Sequence, residues 1–202
     1  MVAPSDNGFM GYMGRGRRSI RLEGYDYARD GAYFVTVCVK GRACVLGEVS
    51  DGRMHLNEVG HEVARCWTWL AERYPYVRLD EWVVMPDHIH GIVVLTDDAD
   101  DPRRGVSRNA RKRPRDPATT RKPLGRLIGA FKTVSTKRVN DLRGTPGATL
   151  WQRNFYERIV REERALHRIR EYIADNPSRS TANRVARTVN SDLPASQRIK
   201  SR

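Results

Sequence analysis

The sequence predicts an α+β protein with a ferredoxin-like antiparallel sheet and helices packed on one face of that sheet. Three observations support this fold class. Runs of β-branched and aromatic residues indicate strands, apolar residues at helical spacing indicate amphipathic helices, and tight turns separate neighbouring strand signals. The resulting order is strand, hairpin, helix, strand, strand, loop, helix, strand, helix. Such an order suits an antiparallel sheet covered by helices.

The first strands are indicated by composition and turn chemistry. Residues 33–39 (YFVTVCV) are β-branched and aromatic, and they predict a buried strand. Residues 45–49 and 53–56 flank the Ser-Asp-Gly sequence at 50–52, in which Asp-Gly is typical of a hairpin turn. We therefore expect a short hairpin directly after the first strand.

A helix and two central strands follow. Asn57 is a suitable N-cap for a helix that Pro75 ends. Its apolar residues recur at helical spacing and are Val59, Val63, Cys66, Trp67, Leu70 and Tyr74. Residues 77–85 and 88–95 then predict two strands, joined by a tight turn at residues 86–87 (Pro-Asp).

The second half begins with a change in composition. Residues 99–122 are rich in basic residues and proline, which predicts a flexible basic loop. Pro123 suits the first turn of the next helix. The apolar stripe of that helix is Leu124, Leu127, Ile128, Phe131 and Val134. A strand over residues 155–160 and a last helix over 162–175, stopped by Pro177, complete the fold.

We expect one domain over residues 17–177. Residues 1–16 have the composition of a disordered arm, and residues 178–202 form a polar, basic tail. The three cysteines form neither a CxxC pair nor an even framework, and the N-terminus lacks the apolar stretch of a signal peptide. The sequence therefore predicts a cytoplasmic protein with no membrane partner.

The net charge of +13 indicates a polyanionic partner. Basic side chains displace condensed counterions from phosphates, which makes nucleic acid the favoured partner. A solvated basic surface and an anionic membrane are the alternatives. Nucleic acid is preferred to a membrane because the basic residues occupy several separate segments and do not line a single amphipathic helix.

The sharpest local pattern is the sequence MPDHIHG at residues 85–91. Residues i and i+2 of a strand point to the same face, so His88 and His90 present two imidazoles side by side. The spacing suits a divalent metal ion, while Ile89 turns towards the core. Two hydrogen-bonded histidines on a solvated face are the simpler interpretation. The apolar runs on both sides indicate a central strand, in which a paired polar insertion needs a reason. We therefore favour a metal site.

Tyr172 and Asn176 form a second candidate pair. They lie four residues apart on the last predicted helix and so share one face. A tyrosine hydroxyl can attack a phosphodiester, and the Asn176 amide oxygen could be a further metal ligand. A half-buried core tyrosine is the alternative for Tyr172, since spacing does not choose among the eight tyrosines.

Candidate DNA contacts are basic or aromatic and lie outside the apolar stripes. Basic side chains can follow a phosphate backbone, and tyrosines can stack on unpaired bases. The candidates are Arg17, Arg18, Arg21, Tyr25, Tyr27, Arg126 and Lys132.

These segments together make the chain recognisable. It resembles the REP-associated tyrosine transposases, which belong to the HUH single-tyrosine transposases of the insertion-sequence-200-like class. The resemblance runs from about Arg17 to Pro177. It rests on RRSIRLEGYDYARDGAYFVTVCV, EWVVMPDHIHGIVVL, PLGRLIGAFKTVSTKRVN and LWQRNFYERIVREERALHRIREYIADNP.

The resemblance implies a function and a set of roles. His88 and His90 would hold Mg²⁺ or Mn²⁺, and Asn176 would complete the metal site. Tyr172 would bond to the 5′ phosphate of cleaved single-stranded DNA and leave a free 3′ hydroxyl. The family binds imperfect DNA hairpins and an adjacent guide sequence, which the segment from Arg17 to Tyr27 would help to read. The family includes homodimers that share active sites and monomeric forms, so both stay open.

Three departures and two alternatives accompany the resemblance. Pro177 biases Asn176 away from helical geometry, Ser180 stands where relatives often have tryptophan, and the 99–122 segment is longer than a minimal loop. A domesticated protein that binds DNA hairpins without cleaving them is the main alternative. A hydrolase of the His-x-His-x-His type is disfavoured, because Ile92 occupies the position of its third histidine.

Overall fold

The computed structural model describes residues 24–96 and 121–180. The strands are β1 (Gly31–Cys38), β2 (Gly47–Ser50), β3 (Arg53–Leu56), β4 (Val77–Met85), β5 (His88–Leu95) and β6 (Tyr156–Val160). The helices are α1 (Glu58–Arg73), α2 (Leu124–Arg143) and α3 (Glu163–Ala174). The predicted N-terminal arm, most of the basic loop and the C-terminal tail beyond residue 180 lie outside the described residues, as do Arg17, Arg18 and Arg21.

Four strands form an antiparallel sheet in the order β4-β5-β1-β6. The sequence β1-α1-β4-β5-α2-β6 is the βαββαβ arrangement of ferredoxin-like folds. The hairpin of β2 and β3 is a separate two-stranded sheet inserted between β1 and α1. The predicted α+β class and antiparallel sheet are therefore confirmed.

The helices occupy both faces of the sheet, which corrects the expectation of one covered face. Alternate residues of β1, among them Tyr33 and Val35, pack against α1 and α2 in the main core. Phe34 points the other way and packs with Ile92 against Ile169 and Ile173 of α3. The reason is that β1 and β5 are apolar on both sides, and each side needs a helix to cover it.

Two local devices set the connection from β3 into α1. Asp51 (φ 51°) and Gly52 (φ 72°) both adopt positive φ, as a tight hairpin turn requires. The Asn57 side chain accepts a hydrogen bond from the backbone N–H of Gly60 at 2.9 Å, which caps α1. Both features agree with the prediction from sequence. Within the described ranges, no helix is long and apolar enough to cross a bilayer.

Gly91 allows α1 to pack closely beneath the centre of β5. A Cβ atom at this position would lie 2.6 Å from the Trp67 ring and 3.1 Å from the Trp82 Cβ. The indole of Trp67 is fully buried and makes an edge-on contact with Phe131 at 5.1 Å between ring centroids. The glycine of the MPDHIHG sequence therefore serves the core face of the sheet, while the histidines beside it serve the other face.

Candidate active site

His88 and His90 lie side by side on the α3 face of the sheet. They are paired in register with Cys38 and Thr36 of β1, and their neighbour Ile89 is fully buried on the opposite face. The two imidazoles are buried, and their Nε2 atoms are 2.9 Å apart. The structure thus brings the predicted pair together with both Nε2 atoms directed at one point.

Polar groups behind the rings fix their orientation. His88 donates a hydrogen bond from Nδ1 to Oδ1 of Asp87 at 2.5 Å. Oδ2 of Asp87 forms an ion pair with Nε of Arg42 at 2.7 Å. Nδ1 of His90 and the Thr36 hydroxyl are hydrogen-bonded at 2.8 Å. A histidine that donates from Nδ1 keeps an unprotonated Nε2, the form that binds metals. The site therefore has the second layer of contacts that metal-binding histidines use.

The charges in this network favour a neutral His90 and an ionised Asp87. Burial lowers the pKa of His90 well below its ordinary value, and the nearby charges of His88 and Arg42 lower it further. Burial would raise the pKa of Asp87, but the hydrogen bond from His88 and the charge of Arg42 outweigh it, so that pKa is lowered. A neutral imidazole beside a carboxylate is an arrangement suited to cation binding.

Tyr172 reaches the histidine pair from α3. Its hydroxyl is 3.5 Å from Nε2 of His90, and the two rings are in edge contact with centroids 5.4 Å apart. The Phe34 ring contacts both rings, and its centroid is 5.5 Å from that of His90 and 6.3 Å from that of Tyr172. The guanidinium of Arg179 lies over the Tyr172 ring at 6.0 Å. Of the tyrosines in the described ranges, this one therefore has its hydroxyl at the histidine pair.

An ion pair and an apolar contact hold α3 in this position. Ile169 and Ile173 pack on Phe34 and Ile92. Arg170 binds Asp80 of β4 with two hydrogen bonds, Nε to Oδ1 at 2.8 Å and an NH2 group to Oδ2 at 2.6 Å. Asp80 lies where the β4–β5 register shifts between Leu79 and Trp82, and such irregularities redirect side chains.

Asn176 is buried and helical, contrary to the expectation that Pro177 would remove it from helical geometry. Residues 176–180 form a further helical turn after α3. Pro177 is tolerated there because the first residues of a helix have no intrahelical use for their N–H groups. Within the described residues, the Asn176 side chain has no hydrogen-bond partner. Its amide atoms are not among the fully buried polar atoms that lack a partner, so solvent or a ligand can reach them.

The donor set fits a divalent ion. Neighbouring ligands of an octahedral ion, each about 2.1 Å away, are separated by about 3.0 Å, and the two Nε2 atoms are 2.9 Å apart. In the described part of the chain, no group of three or more His, Cys, Asp or Glu side chains could hold a metal. Further ligands would therefore be an amide oxygen, water or a phosphate oxygen of DNA.

The other predicted DNA contacts lie away from the histidines. Tyr25 and Tyr27 pack edge-on to each other, and the Tyr27 ring contacts the Tyr33 ring. Both lie on the α1 and α2 side of the sheet. Arg126 is exposed near the start of α2. Lys132 donates to the carbonyl oxygens of residues 152, 153 and 154, and burial lowers its pKa to about 8. These DNA contacts stay predictions, and Lys132 has a structural role as well.

Some residues of the site were not predicted. Thr36 is the polar residue within the apolar YFVTVCV run, a signal that sequence reasoning passed over. Asp87 was interpreted only as a turn residue, although it directly precedes His88. Arg42 has a left-handed backbone (φ 59°) next to the site, and no sequence pattern marks it.

Comparison with known proteins gives relatives of this chain in sequence and in structure. No family model matches it. An uncharacterized protein of Haemophilus influenzae is 35% identical over 161 residues, which cover 80% of this chain and 88% of that protein. A REP-associated tyrosine transposase bound to a REP hairpin aligns with a TM-score of 0.50 and 19% identity, over 83% of this chain and 74% of that structure. This likeness confirms the fold that the sequence resemblance implied.

Proposed function

We propose that this chain is a metal-dependent tyrosine transposase. It belongs to the same protein family as the Haemophilus influenzae protein, and it has the fold of the REP-associated tyrosine transposase. It would nick and rejoin single-stranded DNA at hairpin sequences. The observation that carries the proposal is the convergence of the Tyr172 hydroxyl with Nε2 of His90, 3.5 Å away, and with Nε2 of His88 behind it. A nucleophile and a candidate metal site then act on one phosphate.

The reaction assigns the covalent step to Tyr172. Its oxygen attacks the phosphorus of the scissile phosphodiester, and the bond between phosphorus and the 3′ oxygen breaks. The 5′ phosphate remains on Tyr172, and the other strand end leaves as a 3′ hydroxyl. The phenolic proton passes to water, which can reach the half-buried Tyr172 side chain, and water supplies a proton to the departing 3′ oxygen. Attack by a 3′ hydroxyl on the phosphotyrosine reverses these changes and rejoins the strand.

His88 and His90 would hold Mg²⁺ or Mn²⁺ through Nε2, and Asn176 would contribute its amide oxygen. A divalent ion held there would polarise the phosphate and stabilise the charge that develops on its oxygens. Asp87 and Thr36 would keep the two rings in the orientation that binding requires.

The proposed partner is hairpin-forming single-stranded DNA. The net charge of +13 supports a polyanionic partner, and the hairpin comes from the resemblance and from the DNA bound to the structural relative. The protein would then act where the chromosome is accessible, in the cytoplasm. The mass of the protein in solution distinguishes a single chain from a homodimer.

The test is trapping of the covalent intermediate. The purified full-length chain is incubated with Mn²⁺ and a pool of labelled oligonucleotides in which an imperfect hairpin is flanked by randomised bases. We expect a denaturation-resistant adduct whose tryptic peptide carries DNA on Tyr172. Tyr172→Phe should remove the adduct and retain hairpin binding. Tyr74→Phe also removes one phenolic hydroxyl, but from a core residue, and this variant should still form the adduct. EDTA and His88→Ala should each abolish adduct formation.

Two outcomes would contradict the proposal. An adduct that persists in Tyr172→Phe would move the nucleophile to another residue. Binding of the hairpin pool without any adduct, with Mg²⁺ or Mn²⁺ present, would favour a protein that only binds DNA hairpins.

A further inference from the structure

The outer side of β6 presents an exposed aromatic ring next to the candidate active site. Among the described residues, the exposed large apolar side chains are Tyr156, 40% exposed, and Leu142. Tyr156 is in register with Thr36 of β1, which is in register with His90 of β5. Side chains in one cross-strand row share a face of the sheet. Tyr156 is therefore on the face that carries the histidine pair.

The Tyr156 ring continues the aromatic cluster of the site. It meets Phe34 edge-on with centroids 6.1 Å apart. Phe34 in turn contacts His90 and Tyr172. One side chain thus separates the exposed ring from the proposed nucleophile. A nucleotide next to a phosphate held at Tyr172 would be within reach of Tyr156.

A basic side chain lies beside this ring. Arg158 is exposed and two residues from Tyr156 on the same strand face, about 7 Å along the strand. No residue of the described ranges forms an ion pair with Arg158. Glu157, between them, pairs in register with Val35 and so faces the other side of the sheet. This edge of the face therefore combines an exposed ring with a cation that no carboxylate of residues 24–96 or 121–180 neutralises.

Aromatic rings beside basic groups are the general means of binding single-stranded nucleic acid. An apolar protein partner would not need Arg158, and a duplex would not offer an unstacked base to Tyr156. We propose that the outer side of β6 is a nucleotide-binding subsite for single-stranded DNA. Tyr156 stacks on a base adjacent to the cleaved phosphodiester, and Arg158 binds a backbone phosphate. The subsite deepens the proposed function and rests on it for the position of the cleaved bond.

Stacking is tolerant of base identity, because every base has a π face. The subsite would therefore set the affinity for the strand and its position at Tyr172. Sequence choice would come from other parts of the protein. This separates the role of Tyr156 from that of a residue that reads the guide sequence.

The test measures binding apart from cleavage. Full-length protein carrying Tyr172→Phe is titrated into a short fluorescent oligothymidylate, and the affinity is followed by anisotropy. Adding Tyr156→Ala should weaken binding roughly tenfold to a hundredfold, and Tyr156→Phe should recover most of the loss. Leu142→Ala, which removes the other exposed apolar side chain, should have no effect. Arg158→Gln should lower the slope of log Kd against log salt by about 0.7.

The results distinguish the subsite from the proposed function. If Tyr156→Ala binds the oligothymidylate as tightly as its parent and keeps the same thermal midpoint, the subsite is wrong. If Tyr156→Ala weakens binding but the Tyr172 adduct never forms in the chain that keeps Tyr172, the subsite stands and the proposed reaction fails.

Discussion

The two faces of the sheet are built for different purposes. On the α1 and α2 face, β1 and β5 contribute apolar side chains such as Val35 and Ile89 to a continuous core. On the α3 face, the same strands contribute Thr36, His88 and His90, buried together and hydrogen-bonded to one another or to their neighbours. Residues of opposite role thus alternate along one strand. Substitutions on the first face should therefore change stability, and those on the second should change chemistry at little cost in stability.

The largest expected effect lies on the core face. Phe131 is fully buried and packs against Trp67 and Trp151. Phe131→Ala should lower the free energy of unfolding by about 3–5 kcal/mol, because it removes apolar contacts and leaves a cavity. Denaturant unfolding measures the change. A loss below about 1 kcal/mol would mean that the Phe131 side chain contributes little to the packing of this face.

A smaller effect on the same face tests the alternation within β5. Gly91→Ala places a methyl group 2.6 Å from the Trp67 ring, and overpacking of this kind costs about 1–3 kcal/mol. His88 and His90, which point to the opposite face of β5, should keep their function, so the folded variant should still form the Tyr172 adduct. Loss of the adduct at a temperature where the variant is fully folded would show that the two faces are coupled.

The alternation also explains what the sequence could reveal. The hairpin, the Asn57 cap and the His88–His90 pair are local patterns, since each depends on residues within a few positions of one another. The placement of α3 is not local. Its apolar stripe shows that it covers a sheet but not which face, and Arg170 meets Asp80 across 90 residues of sequence. Thr36 became part of the site only when strand register placed it beside His90.

A change on the α3 face should alter metal binding and cost only about 1 kcal/mol of stability, for the hydrogen bond that His90 loses. Thr36→Val keeps the shape of the side chain and removes the hydroxyl that orients His90. Groups that support a metal-binding histidine typically contribute 10–100-fold to metal affinity or activity. We expect the Mn²⁺ concentration that half-saturates adduct formation to rise by about that factor. An unchanged Mn²⁺ requirement would remove Thr36 from the site.

The smallest effect concerns the ion pair between Asp80 of β4 and Arg170 of α3. The hydrogen bond from Arg170 lowers the pKa of Asp80 although burial opposes the shift. A carboxyl with a lowered pKa in the folded state stabilises the fold above its unfolded pKa, and that contribution is lost as the pH falls through the folded pKa. The unfolded value is about 3.9, so the contribution is complete at neutral pH and disappears in acid.

Asp80→Asn should therefore reduce stability at pH 7 and flatten the acid limb of the stability curve. The Arg170 side chain is 38% exposed, so solvent screening limits the expected loss to about 0.5–1 kcal/mol. Because the pair also orients α3, the rate of adduct formation at saturating DNA should fall several-fold more than stability alone explains. Lys137→Ala, which breaks the exposed Lys137–Asp141 pair on α2, is the matched control and should change neither quantity. Equal adduct rates in Asp80→Asn and the parent chain would show that apolar packing of Ile169 and Ile173 suffices to place Tyr172.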